Sequence, residues 1–241
     1  MRVLFVRGNP RKRGATEQLA NLFLSGLKKG GAEVFDFDTT TANISDCSGC
    51  FACTAGGIPQ TSCVKNDDMR ICLDYLNTAD ALVCVSPVYF YMMSAQLKRF
   101  FDRSFPFIRG CELDNNTHKM VNKTAYAVKP KKFVSISTAL GRLEDSFEAI
   151  DVAYRAICTG EGFEYCANIR RGEIAHFGES AKSSGVRMKK ILAGFESAGE
   201  EFARVGAISK ETIDVCELPL CPSGELFIKN AQIYWQIKGT D

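Results

Sequence analysis

Short apolar runs alternate along this chain with longer stretches in which apolar residues recur every three or four positions. The short runs predict buried strands, and the longer stretches predict amphipathic helices. The predicted strands are Val3–Val6, Glu33–Asp38, Ala81–Val85, Lys132–Ser137 and Phe163–Ile169. The predicted helices run from about Leu19 to Leu27, Met69 to Leu76, Leu97 to Phe105, Phe147 to Ile157 and Met188 to Phe202. Apolar strands that alternate with helices indicate an α/β fold, with a parallel sheet covered on both faces.

Two parts of the chain fall outside this alternation. Residues 106–130 are polar and aperiodic, and we interpret them as an insertion or a long loop. A last helix is expected over Glu225–Trp235 near the C-terminus. We therefore expect one α/β domain over residues 1–205 and a helical extension over residues 206–241.

Composition narrows the class of partner. The chain has 241 residues, is 46% hydrophobic and 24% charged, and carries a net charge of +2. This near-neutral balance gives no electrostatic reason to expect a nucleic acid or an anionic membrane as a partner. No apolar run approaches the ~20 residues that span a bilayer. The apolar run Met1–Val6 is too short for the core of a secretion signal, so we expect a cytoplasmic protein.

Cysteine is the residue type that points most directly to chemistry. Cys47, Cys50 and Cys53 have the spacing C-x-x-C-x-x-C, and Cys63 follows them in the segment 46–66. Such spacing allows one short loop to direct three soft thiolates at one point. It is typical of an iron–sulfur cluster or of a redox dithiol.

The loop after the first predicted strand has the features of an anion site. The segment Gly8–Thr16 holds three cations and a threonine, and it leads into a helix N-terminus. Free backbone amides and the helix dipole favour a bound phosphate at such a position. The segment contains neither a Walker A motif nor the G-x-G-x-x-G fingerprint. The alternative is a basic surface turn, and the position after the first strand of an α/β sheet favours the phosphate site.

Two further loops are predicted at the same edge of the sheet. Ser86–Tyr91 follows the third strand and is rich in aromatic residues, and Ser137–Arg142 follows the fourth. Ligands of open α/β sheets bind beyond the carboxyl ends of the strands, at the point where the strand order reverses. The aromatic loop is thus a candidate to pack on a flat ring, and the alternative is that it covers the core.

Taken in order, these motifs resemble those of the flavodoxin-like NADPH-dependent FMN reductase family, most closely its iron–sulfur flavoprotein and multimeric flavodoxin branch. The similarity covers residues 1–105 well. It rests on Gly8–Thr16, the four cysteines, Asp67-Asp68-Met69, Ser86–Tyr89, Lys98 and Asp102-Arg103. The resemblance implies a three-layer sandwich with a five-stranded parallel sheet of order 2-1-3-4-5. It also implies FMN as cofactor and a homodimer or homotetramer.

The resemblance further implies which residues contact FMN. The phosphate group is expected to bind to Asn9, Arg11, Gly14, Ala15 and Thr16. Arg13 is a further cation there, since Ala15 offers only its backbone. The ribityl chain and the isoalloxazine ring are expected to contact Pro87, Val88, Tyr89 and Phe90. The ring edge or a second phosphate is expected to contact Thr138, Ala139, Gly141 and Arg142. No side chain is assigned as catalytic, because the redox chemistry belongs to the flavin.

Three functional hypotheses follow. The first is an FMN-dependent oxidoreductase that passes electrons from NAD(P)H to a quinone or another small acceptor. The second is an electron carrier that links FMN and a [4Fe-4S] cluster to ferredoxin-type protein partners. The third is a redox sensor or scaffold. The metal ligands expected from the resemblance are Cys47, Cys50, Cys53 and Cys63, and the alternatives are four reduced thiols or a disulfide formed in air.

Overall fold

The structure is a computed structural model that describes residues 1–54, 61–116, 118–129, 131–141, 144–177, 185–229 and 232. Its strands are β1 Arg2–Arg7, β2 Glu33–Asp38, β3 Ala81–Tyr89, β4 Met92–Met93, β5 Ile108–Leu113, β6 Met120–Thr124, β7 Lys131–Thr138 and β8 Phe163–Arg171. Its helices are α1 Ala15–Lys29, α2 Met69–Thr78, α3 Ala95–Arg103, α4 Glu148–Glu161, α5 Val186–Val205 and α6 Lys210–Cys216. Among these helices, none is long and apolar enough to cross a membrane.

Five parallel strands form the central sheet in the order β2-β1-β3-β7-β8. Counted along the chain as the five sheet strands, this is the expected order 2-1-3-4-5, and the predicted α/β fold is confirmed. β1 has β2 on one side and β3 on the other, so the strand order reverses at β1. The crevice beyond the carboxyl ends of β1 and β3 is therefore the position where such a sheet binds its ligand.

Alternate residues of each buried strand face opposite layers of helices, because side chains alternate across a strand. Val3 and Phe5 of β1 pack in one cluster with residues of α1 and α5. Leu4 and Val6 pack in a second cluster with residues of α2, α3 and α4. The continuous apolar run of β1 is thus explained by burial on both faces.

The predicted loop after the third strand is instead a β-hairpin. β3 continues beyond Val85 as far as Tyr89, and the chain then reverses into β4, with Val88 paired to Met93 and Tyr89 to Met92. Pro87 remains in register with Thr138 of β7. The interpretation of Ser86–Tyr91 as a loop was wrong because its proline and aromatic residues conceal the strand pairing.

Residues 106–130, expected to be an insertion or a long loop, form an insertion that contains a hairpin rather than an aperiodic loop. A short 3-10 turn at Phe105–Phe107 follows α3, and β5 and β6 then form an antiparallel hairpin. Most residues of this two-stranded ribbon are exposed or half-buried, so its sequence lacks the apolar alternation of a core strand.

The C-terminal part of the chain includes a helix that the periodicity did not predict, α6. Buried Arg171, at the end of β8, donates hydrogen bonds to the carbonyl oxygens of Cys216 at 3.1 Å and Leu218 at 2.6 Å. The segment after α5 is therefore attached to the sheet domain. Residues 225–229 of the predicted helix Glu225–Trp235 are helical, and residues 230, 231 and 233–235 lie outside the described residues.

Helices α1 and α5 approach each other so closely that two glycines separate their backbones. A Cβ on Gly26 would lie 1.9 Å from the carbonyl oxygen of Glu196, and a Cβ on Gly199 would lie 2.1 Å from that of Phe23. Both contacts are with backbone atoms, which cannot move without shifting a whole helix. The position of α1, and of the loop that leads into it, depends on this contact.

We expect Gly26→Ala or Gly199→Ala to lower the free energy of unfolding by at least ~1–3 kcal/mol through overpacking. Gly160→Ala is the matched control, since a Cβ there meets only the Asn122 amide at 3.5 Å. This control should be neutral or stabilising by up to ~1 kcal/mol, as for Gly-to-Ala changes inside helices. Urea unfolding midpoints measure all three, and equal midpoints for Gly26→Ala and Gly160→Ala would contradict the close packing.

Candidate functional site: a nucleotide crevice and a four-cysteine cavity

The loop between β1 and α1 lies against β3 and α3 at the carboxyl edge of the sheet. The Gly8 amide donates to the carbonyl of Val85 at 2.7 Å, and the Ser94 hydroxyl donates to the Gly8 carbonyl at 2.5 Å. A Cβ on Gly8 would lie 2.6 Å from the Cβ of Leu97, so a glycine is required for this approach. Ser94 also caps α3 by accepting from the Leu97 amide at 3.2 Å. These bonds hold the loop at a defined place beside β3.

The N-terminus of α1 presents its first amides to the crevice. Gly14 precedes the helix in an extended conformation and has no side chain with which to cap it. The first bond of the helix runs from the Gln18 amide to the Gly14 carbonyl at 3.2 Å, so the amides of Ala15 and Thr16 precede the ladder. Arg11 and Arg13 are exposed beside them. Free amides with nearby cations suit a phosphate group.

Buried polar groups behind this loop leave one acceptor without a partner. Asn9 is 1% exposed, and its side-chain nitrogen donates to Glu17 at 2.6 Å. Glu17 also accepts from Arg7 at 2.9 Å, which reduces its repulsion of an anion. Within the described residues, the side-chain oxygen of Asn9 has no hydrogen-bond partner. A ribityl hydroxyl is a donor that would satisfy it, so these residues fit FMN.

The segment after β7 is joined to the phosphate loop by one buried contact. The hydroxyls of Thr16 and Thr138 are 2.7 Å apart. The Ala139 amide donates to the Arg171 carbonyl at 2.9 Å, so it is already used inside the protein. The Gly141 carbonyl accepts from the Glu173 amide at 3.0 Å. The remaining candidate of this segment, Arg142, lies outside the described residues.

The β3–β4 hairpin turns through two aromatic residues in a left-handed conformation. Phe90 has φ of 49° and Tyr91 has φ of 65°, between the paired residues Tyr89 and Met92. Positive φ at both central positions defines a type I′ turn, which favours asparagine and glycine. Bulky residues at such angles are strained, and strain of this kind is concentrated at functional sites. Phe90 is 98% exposed, so its ring is available to a partner.

The four candidate cysteines meet at a second place. Cys47, Cys50, Cys53 and Cys63 all line one cavity of about 350 Å³. Burial raises the pKa of Cys53, and the charges of Cys63, Cys50 and Cys47 raise that pKa further. A hydrogen bond from the Ala52 backbone is the largest cause that lowers the pKa of Cys50. The tertiary structure thus brings Cys63 to the C-x-x-C-x-x-C segment.

The sulfur donors in this cavity are the four cysteine thiols. Among the described residues, no three cysteine, histidine or acidic side chains are close enough together to hold one metal ion. A cubane cluster spreads its cysteine ligands around several irons, and four thiolates are the donor set that it takes. The residues therefore fit a [4Fe-4S] cluster by type and by their shared cavity.

A buried ion pair joins the two ends of the cysteine segment. Asp67 and Arg103 form two hydrogen bonds, at 2.7 and 2.9 Å, and their side chains are 3% and 1% exposed. Asp67 also accepts from the amides of Ser45 at 3.0 Å and Met69 at 3.2 Å. Arg103 donates to the Ser45 carbonyl at 2.6 Å. Residues before and after the cysteines are therefore tied to α3.

Sequence reasoning missed this pair. Asp67 accepts from the Met69 amide at the start of α2, but its main partner is Arg103. Arg103 also lies beside Cys63, whose charge contributes to the raised pKa of Arg103 against the lowering effect of burial. The sequence feature that could have revealed the pair is Arg103 itself, an arginine on the apolar face of α3, two residues after Phe101.

A second attachment comes from the β5–β6 hairpin and the turn before it. Arg109 donates to the Cys53 carbonyl at 3.0 Å. The rings of Phe51 and Phe105 meet edge to face with their centroids 5.5 Å apart. The segment once taken for a loop therefore forms one side of the cysteine site.

Comparison with known proteins identifies the class. A family model described as NADPH-dependent FMN reductase matches residues 1–153. The chain is 34% identical to an iron-sulfur flavoprotein from Archaeoglobus fulgidus over 197 residues, which are 82% of this chain and 81% of that protein. This chain therefore belongs to the NADPH-dependent FMN reductase family, with iron–sulfur flavoproteins as relatives over most of its length. The resemblance seen in the motifs is confirmed, and FMN is the cofactor that the family indicates.

Solved structures agree on the fold. An FMN-dependent NADH-azoreductase from Bacillus anthracis, in complex with FMN, superposes with a TM-score of 0.57 at 12% identity, covering 84% of this chain and 100% of that chain. An NAD(P)H:quinone oxidoreductase from Methanothermobacter marburgensis gives 0.53 at 17% identity, covering 85% and 96%. At sequence identities this low, structural similarity establishes the flavodoxin-like fold alone.

The Asp67–Arg103 pair predicts a specific pH dependence. Burial alone would raise the pKa of Asp67, but the hydrogen bonds and charge of Arg103 outweigh it and lower that pKa from 3.8 to about 2. Because the folded pKa is the lower one, the stabilisation is complete above pH ~5 and is lost as the pH falls toward 2. The stability difference between the wild type and Asp67→Asn should therefore narrow by about 1 kcal/mol between pH 5 and pH 3.

Asp102→Asn is the control for this measurement, since Asp102 is an exposed residue whose ion pair with Lys98, at 2.5 Å, lies on the same helix. Its stability difference from the wild type should stay nearly constant over the same range, as expected for a surface pair. Urea unfolding at each pH gives the values. A constant difference for Asp67→Asn would mean that the buried pair is not formed.

Proposed function

We propose that this protein is an FMN-dependent oxidoreductase that takes electrons from NAD(P)H and passes them to a quinone or another small acceptor. The main support is the uncapped N-terminus of α1 at the strand-order reversal, with Arg11 and Arg13 beside it, in a chain of the NADPH-dependent FMN reductase family. The NADH-azoreductase and the NAD(P)H:quinone oxidoreductase that share the fold are consistent with this class of reaction.

The proposed roles follow from position. The amides of Ala15 and Thr16, with the two arginines, bind the phosphate of FMN, and Asn9 accepts from a ribityl hydroxyl. Tyr89 and Phe90 pack against the ring. Pro87 and Val88 support them from β3, and Gly141 faces the ring edge. Thr138 is buried and supports the phosphate loop through its contact with Thr16. When bound, FMN supplies hydride acceptance and the release of electrons singly or in pairs. The chain orients the ring and limits its contact with water, and we assign no catalytic side chain.

We propose homodimers or homotetramers as the working form. Phe90, Tyr91 and Met92 are 98%, 56% and 37% exposed, and together they form an apolar tip beside the crevice. Contiguous apolar surface of this kind usually marks an interaction site. A second copy that covered the tip would also shield the ring.

A second function is supported by the four-cysteine cavity. In this hypothesis, a [4Fe-4S] cluster on Cys47, Cys50, Cys53 and Cys63 exchanges single electrons with ferredoxin-type partners. The supporting observation is that four thiols line one cavity in a chain related to an iron-sulfur flavoprotein. The two functions are compatible, because the cavity and the crevice are built from different loops.

The test of the first function is anaerobic reduction followed in the visible spectrum. We expect NADPH or NADH to bleach the flavin band of the protein rapidly, with one nicotinamide consumed per FMN. Fast reduction by reduced ferredoxin together with sluggish reduction by both nicotinamides would favour the carrier function instead. As a check on the site, the double change Arg11→Ala with Thr16→Ala should weaken FMN binding by ~1.5–3 kcal/mol, because the charged hydrogen bond from Arg11 to the phosphate is lost and the Thr16–Thr138 contact that positions the first turn of α1 is removed. Arg204→Ala, on exposed α5 surface, should leave binding unchanged.

A separate variant tests the cysteine site. Cys50 is exposed at the rim of the cavity, so Cys50→Ser should remove most of the iron while leaving the fold and the FMN content unchanged. The buried Cys72, on α2 away from this cavity, provides the control Cys72→Ser, which should keep its iron. Iron and flavin are measured on anaerobically purified protein. Equal loss of iron and FMN in Cys50→Ser would show that the segment is structural rather than a ligand loop.

A further inference from the structure

A second cavity, of about 310 Å³, lies at the end of the sheet opposite to the nucleotide crevice. Its floor includes Leu82 and Phe163, which are at the amino ends of β3 and β8, whereas the crevice is at the carboxyl ends. The β5–β6 hairpin covers it through Ile108 and Asn122, and α4 forms its far side. The cavity is therefore distinct from the candidate flavin site.

The walls of this cavity are largely apolar, with a small polar group at one end. Phe101, Phe105 and Ile157 contribute to the apolar part. At the polar end, the Glu161 carboxylate accepts from the Tyr126 hydroxyl at 3.0 Å and from the Asn122 amide at 3.2 Å. Each carboxylate oxygen thus uses one protein donor and keeps a lone pair that can accept from a ligand.

The charges around Glu161 favour a neutral donor over a cation. Lys131, nearby, is 5.2 Å from the Tyr126 ring and donates to the carbonyls of Asn77 and Ala79. The charge of Lys129 also acts on Glu161. A ligand hydroxyl can donate to a free lone pair of Glu161 without adding a further positive charge near these lysines. Burial raises the pKa of Glu161, and the hydrogen bonds from Tyr126 and Asn122 and the charge of Lys129 oppose that rise.

Gly160 keeps the entrance open. It lies inside α4 and on the wall of the cavity, where a Cβ would meet only the Asn122 amide at 3.5 Å. A glycine inside a helix costs about 0.5–1 kcal/mol relative to alanine. Neither a positive φ nor a close backbone contact requires glycine at this position. The remaining consequence of having glycine at this position is free space at the cavity wall.

We propose that this cavity binds a neutral phenolic ring compound, with the ring among Phe101, Phe105 and Ile157 and the hydroxyl donating to Glu161. The volume is at the lower limit of ligand pockets, ~300–1,000 Å³, so it suits a compound of one or two rings. Phe101 and Phe105 also line the four-cysteine cavity, so the ligand would lie behind the wall of that site. The proposal adds a second ligand site and does not depend on the proposed oxidoreductase reaction.

The experiment uses the full-length protein with FMN bound and compares p-cresol with toluene by isothermal titration calorimetry and saturation-transfer NMR. We expect saturable binding of p-cresol, and binding of toluene about tenfold weaker, the size of one hydrogen bond. Glu161→Gln should reduce this preference, because the carboxylate charge that strengthens the bond is removed.

Two variants test the location. Gly160→Leu should fill the entrance and abolish p-cresol binding, and Ala156→Phe on the same wall serves as a second variant if the first fails to fold. Val152→Leu, on the same helix but exposed and outside the cavity, should bind p-cresol as the wild type does. Absence of saturable binding to the wild type, or binding that survives both wall substitutions, would overturn the proposal. If sedimentation shows that Gly160→Leu dissociates an oligomer and p-cresol does not bind, the occupant is a second copy and the proposal fails.

Discussion

The pairing of β1 with β2 on one side and β3 on the other decides where the functional segments of this chain lie. Because all five sheet strands are parallel, their carboxyl ends meet at one edge, and the order reverses at β1. The phosphate loop, the strained aromatic hairpin and the segment after β7 therefore converge, although they are far apart in sequence. The 2.7 Å contact between Thr16 and Thr138 is the direct sign of that convergence.

The cysteine segment depends on a different device, the buried pair of Asp67 and Arg103. A buried ion pair is weak evidence for net stability, because desolvation offsets the attraction between the charges. Its value here is geometric. The pair links two segments of the backbone. Ser45 precedes the cysteines, and Asp67 follows them, two residues before α2 begins. Thiols 16 positions apart in sequence, Cys47 and Cys63, thereby share one cavity.

Three cavities or crevices are arranged around α3 and the turn that follows it. Ser94 at the start of the helix holds the phosphate loop, Arg103 at its end holds the cysteine segment, and Phe105 lines both the cysteine cavity and the cavity beneath the hairpin. One short amphipathic helix thus sets the relative positions of a nucleotide site, a thiol site and an apolar pocket.

The sequence by itself determined the α/β class and the five sheet strands, because strands buried on both faces are apolar runs, whereas the edge strand β2 interleaves apolar residues with acids. It also determined the local chemistry, since the spacing of Cys47, Cys50 and Cys53 and the basic loop before α1 are contained in short segments. It did not reveal the β5–β6 hairpin, whose half-exposed ribbon carries no apolar alternation, or the extension of β3 through Pro87. Only the tertiary structure decided that Arg103 pairs with Asp67, 36 positions away, and that Cys63 joins the other cysteines. Such contacts depend on how helices pack on the sheet, and a local pattern of residues does not encode that distance.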